Sequence, residues 1–257
     1  MILARISKAI REQNWFAVVL EFVIVVSGVF LAFQVSTWSN EADRRAYVRD
    51  VLGRLHGELS SLAEVRARLL EPRADRLARL LEARPVIMEA GGPDTLSDAD
   101  CFSIAVSHYG IGNSPDAFPS LDELVSSGAV EAIRSEALRH RAMQLYSKRT
   151  AVRTRSAVDA GRVVNLPQEY PDAVRATLFA DPEDEEDGYS RGAACDLAVM
   201  RSDTSFQAAL IENTEILWTH VDFTYGFLDD AIEALRVAIE AELDLPRSSA
   251  PEDETTP

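Results

Sequence analysis

The chain has 257 residues, an apolar content of 47% and a formal charge of −16 at pH 7. Removing the three basic and two acidic side chains of residues 1–38 leaves about −17 on the rest. Such a surface repels phosphate backbones and argues against nucleic-acid binding. Leu, Ala, Arg and Glu are abundant while Gly and Pro number twelve and eleven, which favours helices over a loop-rich β fold.

Residues 1–14 are a short basic leader, and residues 15–38 read as a transmembrane helix. In helical form this run covers about 36 Å, which exceeds a hydrocarbon core of about 30 Å. Trp15 and Trp38 bracket it where interfacial aromatic side chains are expected. The run is too long for a signal peptide and no small-residue cleavage pattern follows. We therefore predict an uncleaved single-pass anchor in a lipid bilayer.

Basic residues flank both ends of this span, so the positive-inside rule gives a near tie. The leader is compactly basic, whereas the basic residues after the span alternate with acidic ones. This difference favours a cytoplasmic N-terminus and a C-terminal domain outside the cytoplasm. The basic residues concerned are Arg5, Lys8 and Arg11 before the span and Arg44, Arg45 and Arg49 after it.

Glu21 is the one charged residue inside the span. At 100° per residue it shares a helix face with Val25, Gly28 and Ala32, of which the last two form a small-x-x-x-small pair. One interpretation is a helix–helix interface in which Glu21 is protonated or paired with a donor on a partner. The other is a carboxylate that extends to the headgroups beside a glycine without a role. We favour the interface.

Residues 39–245 are predicted to form an acidic helical domain, and residues 246–257 a disordered tail. The first domain helix carries apolar residues with a four-three spacing typical of a bundle or coiled-coil seam. They are Val48, Leu52, Leu55, Leu59 and Leu62. Pro72 is expected to kink or break this helix near Glu71. The helix should end by Pro85 or at Gly91-Gly92.

Further helices follow in chain order. A connection over 93–119 contains a short helix at 99–108, and Ser120 caps the next one in a capping box with Glu123. Gly128 ends that helix. A longer helix runs from about Glu131 or Ser135 to Val164, and the last from about Asp203 to Leu243, where Pro246 stops it. The predicted fold is all-α: an N-terminal transmembrane helix continuing into an antiparallel helical bundle.

Few residues indicate chemistry. Cys101 and Cys195 lack metal-site spacing but can form a disulfide in an oxidising compartment. The acidic stretch 181–189 fails the calcium-loop spacing, and an exposed loop is the better interpretation. The four histidines, His56, His108, His140 and His220, are isolated from one another. No phosphate-binding loop or nucleophile motif occurs. We predict no catalytic, cofactor-binding or metal-binding residues.

Three segments resemble a broad bacterial family of membrane-anchored proteins known only as a domain of unknown function. They are LAFQVSTWSNE, FPSLDELVSSGAVEAIRSEALRHRAMQLY and SDTSFQAALIENTEILW. The matching positions are Gln34, Trp38, Glu41, Leu124, Ser127, Gly128, Ile133, Leu138, Arg139, Leu145 and Tyr146. The chain has Ser36-Thr37 where the family often has Asn. The resemblance implies this architecture and a bacterial inner membrane, but no activity.

Two functions remain open on the sequence. The first is a non-enzymatic interaction protein, an accessory or scaffold subunit that binds a membrane-protein partner or a second copy of itself. The alternative is a ligand-binding helical sensor domain that signals through a separate partner, because the 14-residue leader is too short for a signalling module.

Overall fold

The structure, a computed structural model, describes residues 15–89, 95–111, 116–180 and 189–246. Residue contacts divide the chain into two units, Met1–Asp50 and Val51–Pro257. The predicted leader and nearly all of the predicted tail lie outside the described residues. So does the acidic stretch 181–188, although Tyr189, its neighbour, begins a strand.

The described elements are mostly helices. In chain order they are α1 (Trp15–Met88), α2 (Asp98–Ala105), α3 (Pro119–Ser126), a 3-10 turn (Ala129–Ala132), α4 (Glu136–Ala160), α5 (Leu166–Glu169), β1 (Val174–Ala180), β2 (Tyr189–Cys195), α6 (Leu197–Ser202), α7 (Thr204–Thr219), a π-helical segment (His220–Gly226) and α8 (Phe227–Leu243). The all-α prediction is confirmed for the fold as a whole.

One antiparallel hairpin of β1 and β2 departs from the helical prediction. Its register pairs Val174 with Cys195 and Ala180 with Tyr189. The alternating pattern of β1 is short, and β2 contains Gly192 and two alanines, which are weak strand formers. A hairpin of this size is marginal alone. It is held to the domain by contacts with α2 and by a disulfide between Cys195 and Cys101.

Pro72 is predicted to kink or break the first domain helix, and the break is wrong: α1 passes through both Pro72 and Pro85. Proline removes one backbone donor and pushes the preceding turn outward. In that turn the Arg73 guanidinium donates from Nη1 to the carbonyl of Leu69 at 2.7 Å. The predicted seam residues Leu52, Leu55 and Leu59 are buried, and Leu62 is half-buried.

The predicted Ser120 cap is also wrong. Phe118 is the N-cap of α3 and makes no side-chain cap, while Pro119 occupies the first turn. Ser120 instead binds a carboxylate from another helix: both its N–H and its hydroxyl donate to Glu58 of α1. A carboxylate at a helix N-terminus satisfies donors that have no partner inside the helix. The prediction that Gly128 ends this helix is confirmed, since Gly128 follows α3 with a φ of +69°.

The remaining helices match their predicted ranges with shorter ends. Ser135 caps α4 by accepting from the N–H of Leu138, and α4 ends at Ala160 rather than Val164. Apolar residues at helical spacing in and just before α4 are all buried: Ile133, Leu138, Ala142, Leu145 and Val152. The last predicted helix is three consecutive segments, α7, the π-helical segment and α8. It ends at Leu243, and the next residue, Asp244, adopts a φ of +56°.

Within the Val51–Pro257 unit, the C-terminal segments run antiparallel to both α1 and α4. His56 of α1 contacts Glu240, and Arg66, further along α1, contacts Asp229. Residue numbers therefore increase along α1 while those of their partners decrease. Along α4 and the residues after it, Lys148 contacts Phe227 and Arg162 contacts Glu212 in the same sense. A core cluster joins the end of α1 to α2 and α7, and it includes Leu80, Ile104, Phe206, Leu210 and Leu217.

Candidate functional site

The four residues predicted as a helix–helix interface lie in α1 and are exposed: Glu21, Val25, Gly28 and Ala32. Their spacing puts them on one face of the helix. A Cβ built on Gly28 meets no atom within 4 Å, so this face is open in the single chain. Trp38, one predicted interfacial anchor, is also exposed, while Trp15 begins the helix.

Among the described residues, α1 is the one helix with a stretch long and apolar enough to cross a membrane, and that stretch is not buried inside the protein. Every residue from 19 to 38 is exposed. Soluble monomers rarely expose apolar surface of this extent. This stretch therefore differs from a core helix of a soluble domain.

A second apolar surface lies in the Val51–Pro257 unit, between the end of α1 and α7. It is a groove of about 230 Å³ whose walls include Leu81, Ile211 and Trp218. The Trp218 side chain is 57% exposed, and Leu81 and Ile211 are similarly open. Ile211 and Trp218 are seven residues apart and therefore share one face of α7. Arg84 and Glu215 supply the charged groups at this surface.

A buried polar cluster centres on the π-helical segment and on two arginines of α1. Arg66 is only 1% exposed. It donates from Nε to the Asp229 carboxylate and from Nη2 to the carbonyl of Thr224, inside the π-helical segment. Its guanidinium also lies 4.9 Å from the centre of the Tyr225 ring. Arg66 therefore contacts the π-helical segment twice, at the backbone of Thr224 and at the side chain of Tyr225.

Arg73 lies one heptad further along α1 and approaches the same ring, at 5.7 Å from the Tyr225 centroid. It donates to two carbonyls, those of Leu69 and Gly110. Three polar atoms here have no hydrogen-bond partner among the described residues: Arg73 Nε, His220 Nε2 and the Tyr225 hydroxyl. Buried polar groups are usually satisfied, and π-helical turns are frequent at functional sites.

Burial sets the protonation of this cluster. It lowers the pKa of His220 to about 4, with the charge of Arg73 acting in the same direction. His220 is therefore neutral at pH 7, and its Nδ1 lies 3.1 Å from the hydroxyl of Thr224. Burial also raises the pKa of Tyr225 and that of Asp229, although Arg66 opposes the rise at Asp229.

The other predicted polar residues are dispersed. His56 binds Glu240 at 3.1 Å, and Arg236 contacts the same carboxylate. The His108 ring is in tilted contact with that of Tyr109, and His140 is exposed. No group of three or more His, Cys, Asp or Glu side chains with metal-site geometry occurs among the described residues. Cys101 and Cys195, the two cysteines of the chain, form the disulfide described above.

Sequence reasoning missed the arginine cluster, although a signal for it exists. The four-three repeat of α1 continues from Leu59 and Leu62 through Arg66, Leu69 and Arg73. Arginines at two successive core positions of an amphipathic helix indicate buried charge that needs a polar partner. The π-helical segment has no comparable signal, because His220–Gly226 continues the apolar periodicity of its neighbours.

Comparisons with family models, with curated proteins and with solved structures give no match for this chain.

Proposed function

We propose that the protein is a single-pass membrane protein that works without catalysis, as an accessory or scaffold subunit of a membrane complex. The observation that supports this most is the stretch 19–38, which is helical, exposed on every side and apolar apart from Glu21 and a few small or polar residues. A helix satisfies its own backbone groups and therefore suits a lipid environment.

The proposed orientation puts the N-terminus in the cytoplasm and the Val51–Pro257 unit outside it, in the periplasm of a bacterium. The distribution of basic residues alone gives a near tie. The Cys101–Cys195 disulfide supports the outward orientation, because such bonds persist in oxidising compartments and are rare in the cytosol. The bacterial inner membrane itself stays a prediction from the family resemblance.

The proposed docking face is the one formed by Glu21, Val25, Gly28 and Ala32. In lipid the hydrophobic effect does not favour the association of two helices. The stabilisation must come from close backbone packing at small residues and from hydrogen bonds between the helices. Gly28 leaves open space, and Glu21 offers a hydrogen-bonding group. An ionisable side chain within a span is costly unless it has a partner or reaches the interface.

A photo-crosslinking amino acid at Val25, introduced into the full-length chain in native membranes, tests this face. We expect a discrete crosslinked product, either to a partner protein or to a second copy. Glu21→Leu and Gly28→Leu should each reduce its yield severalfold, since one removes the hydrogen bond and the other fills the gap. Val26→Leu, on the opposite face, is the matched control and should preserve it. An equal yield in all four proteins would refute the docking face.

The alternative function is a ligand-binding helical sensor that signals through a separate partner. The buried cluster around the π-helical segment favours it, because Arg73, His220 and Tyr225 keep polar atoms available inside the domain. A binding event there would act on the junction between α7 and α8. A thermal-shift screen of small molecules and cations on the full-length protein tests this function, and a screen without any stabilising compound would count against it.

A further inference from the structure

A cavity of about 400 Å³ opens between three parts of the Val51–Pro257 unit: the end of α2 with the loop after it, the region of α5, and β1. Its size lies in the range of small-molecule sites. Its polar lining comes from His108, Asn165, Gln168 and Arg175, and its apolar lining includes Val106 and Pro167.

The charge around this cavity differs from that of the chain as a whole. Acidic residues outnumber basic ones by 42 to 26, yet no carboxylate lines the cavity among the described residues. Glu169 and Asp172 are close in sequence to its lining but do not belong to it. A cavity without carboxylates in so acidic a protein is the first indication of an anionic ligand.

The arginine at its rim is available for such a ligand. Arg175 is exposed on β1, where its backbone belongs to the ladder with β2, and its guanidinium forms no hydrogen bond or ion pair with any side chain or carbonyl that the structure describes. Two more arginines, both in α1, contact the backbone of the loop that follows α2. Arg76 donates to the carbonyl of Tyr109 at 2.7 Å, and Arg73 donates to that of Gly110. Neither forms an ion pair with a described carboxylate, so their charges add to the potential at the loop.

The amide groups and the walls complete the site. Asn165 and Gln168 lie one turn apart and present amide donors, with their side chains 3.4 Å from each other. The Tyr109 and His108 rings are in tilted contact, with their centres 4.2 Å apart, and both line the cavity. The Cys101–Cys195 disulfide joins α2, which leads into one wall, to β2, which pairs with β1 in another. The walls are therefore fixed to each other by a covalent bond.

We propose that this cavity binds a small organic carboxylate. Arg175 takes the carboxylate through paired N–H donors, the geometry that guanidinium groups match best. The amides of Asn165 and Gln168 accept or donate further hydrogen bonds. The apolar side chains and the ring pair contact the carbon body of the ligand. The site is independent of the membrane helix and of the function proposed above.

The test is thermal unfolding of the full-length protein in detergent, at constant ionic strength, with benzoate, hexanoate or succinate added. We expect at least one of the three to raise the melting temperature in proportion to the logarithm of its concentration. Benzamide, which has the shape of benzoate without its charge, should have a much weaker effect. Arg175→Gln should weaken the affinity by about tenfold or more, as expected for loss of charge-assisted hydrogen bonds.

Arg191→Gln is the matched control, because Arg191 is an exposed arginine of the same hairpin that does not line the cavity. It should leave the affinity unchanged. Both substitutions are at exposed positions, so the ligand-free melting temperatures should agree with that of the original protein. No shift with any of the three carboxylates, or equal shifts in the Arg175→Gln and Arg191→Gln proteins, would overturn the proposal.

Discussion

Arg66 stabilises the π-helical segment through three different contacts: a carboxylate, a backbone carbonyl and an aromatic face. Arg66→Met keeps most of the apolar stem but leaves the buried carbonyl of Thr224 without this donor. We expect the free energy of unfolding to fall by about 2–3 kcal/mol. Chemical denaturation of the full-length protein in detergent measures this change. Arg68→Met, at an exposed position, should stay within about 0.5 kcal/mol, and equal losses in the two variants would contradict the role of Arg66.

His220 makes stability depend on pH. Its pKa is lowered from 6.5 to about 4 in the folded protein, so between these values the unfolded chain binds more protons than the folded one. Stability therefore rises with pH across this window and falls as pH drops from about 6.5 towards 4, by up to about 3 kcal/mol. His220→Gln should remove this part of the dependence. Parallel stability profiles of the two proteins from pH 7 to 4 would contradict the assignment.

Burial could be predicted from the sequence for some residues, whereas hydrogen bonds between distant residues could not. The apolar positions that repeat with helical spacing, such as Leu55 and Leu145, are buried as expected. The binding of Ser120 to Glu58 could not be predicted, because the two residues are 62 positions apart and the local S-L-D-E pattern indicates a capping box. A local sequence pattern predicts hydrogen bonds within its own segment. Here the Glu58 carboxylate, from another helix, accepts the hydrogen bonds of Ser120 instead.

At the scale of elements, the β1–β2 hairpin depends on its disulfide. The bond closes a loop with a sequence separation of 94, which strongly restricts the unfolded chain. In the chain-entropy model its reduction should lower the free energy of unfolding by about 3–5 kcal/mol. Urea unfolding with and without reductant measures this loss. A Cys101→Ser/Cys195→Ser double variant should be insensitive to reductant, and an unchanged midpoint on reduction of the original chain would contradict the prediction.

The elements that sequence reasoning missed share a physical reason. The hairpin has weak strand propensity and depends on tertiary contacts with α2. The π-helical segment lies inside a longer helical pattern, and it is the contact of Thr224 and Asp229 with Arg66 that distinguishes it. Pro72 lies inside α1, which continues to Met88. Helix propensity therefore predicts the helices well. It fails where contacts with residues distant in sequence determine the local conformation.

At the scale of the molecule, the two units present different surfaces. The described part of the Met1–Asp50 unit is apolar and exposed over residues 19–38, which suits lipid. The Val51–Pro257 unit buries its apolar side chains in a core and carries most of the negative charge. Its groove at Leu81, Ile211 and Trp218 is a second exposed apolar surface. The proposed interaction function depends on these two surfaces.

The most direct measurement is the mass and composition of the complex that the full-length protein forms in native membranes. Extraction in a mild detergent, followed by purification and native mass spectrometry, gives both. The account predicts a stoichiometric membrane-protein partner or a homo-oligomer that disperses in the Glu21→Leu/Gly28→Leu variant. A monomer without any partner, unchanged by these substitutions, would contradict it.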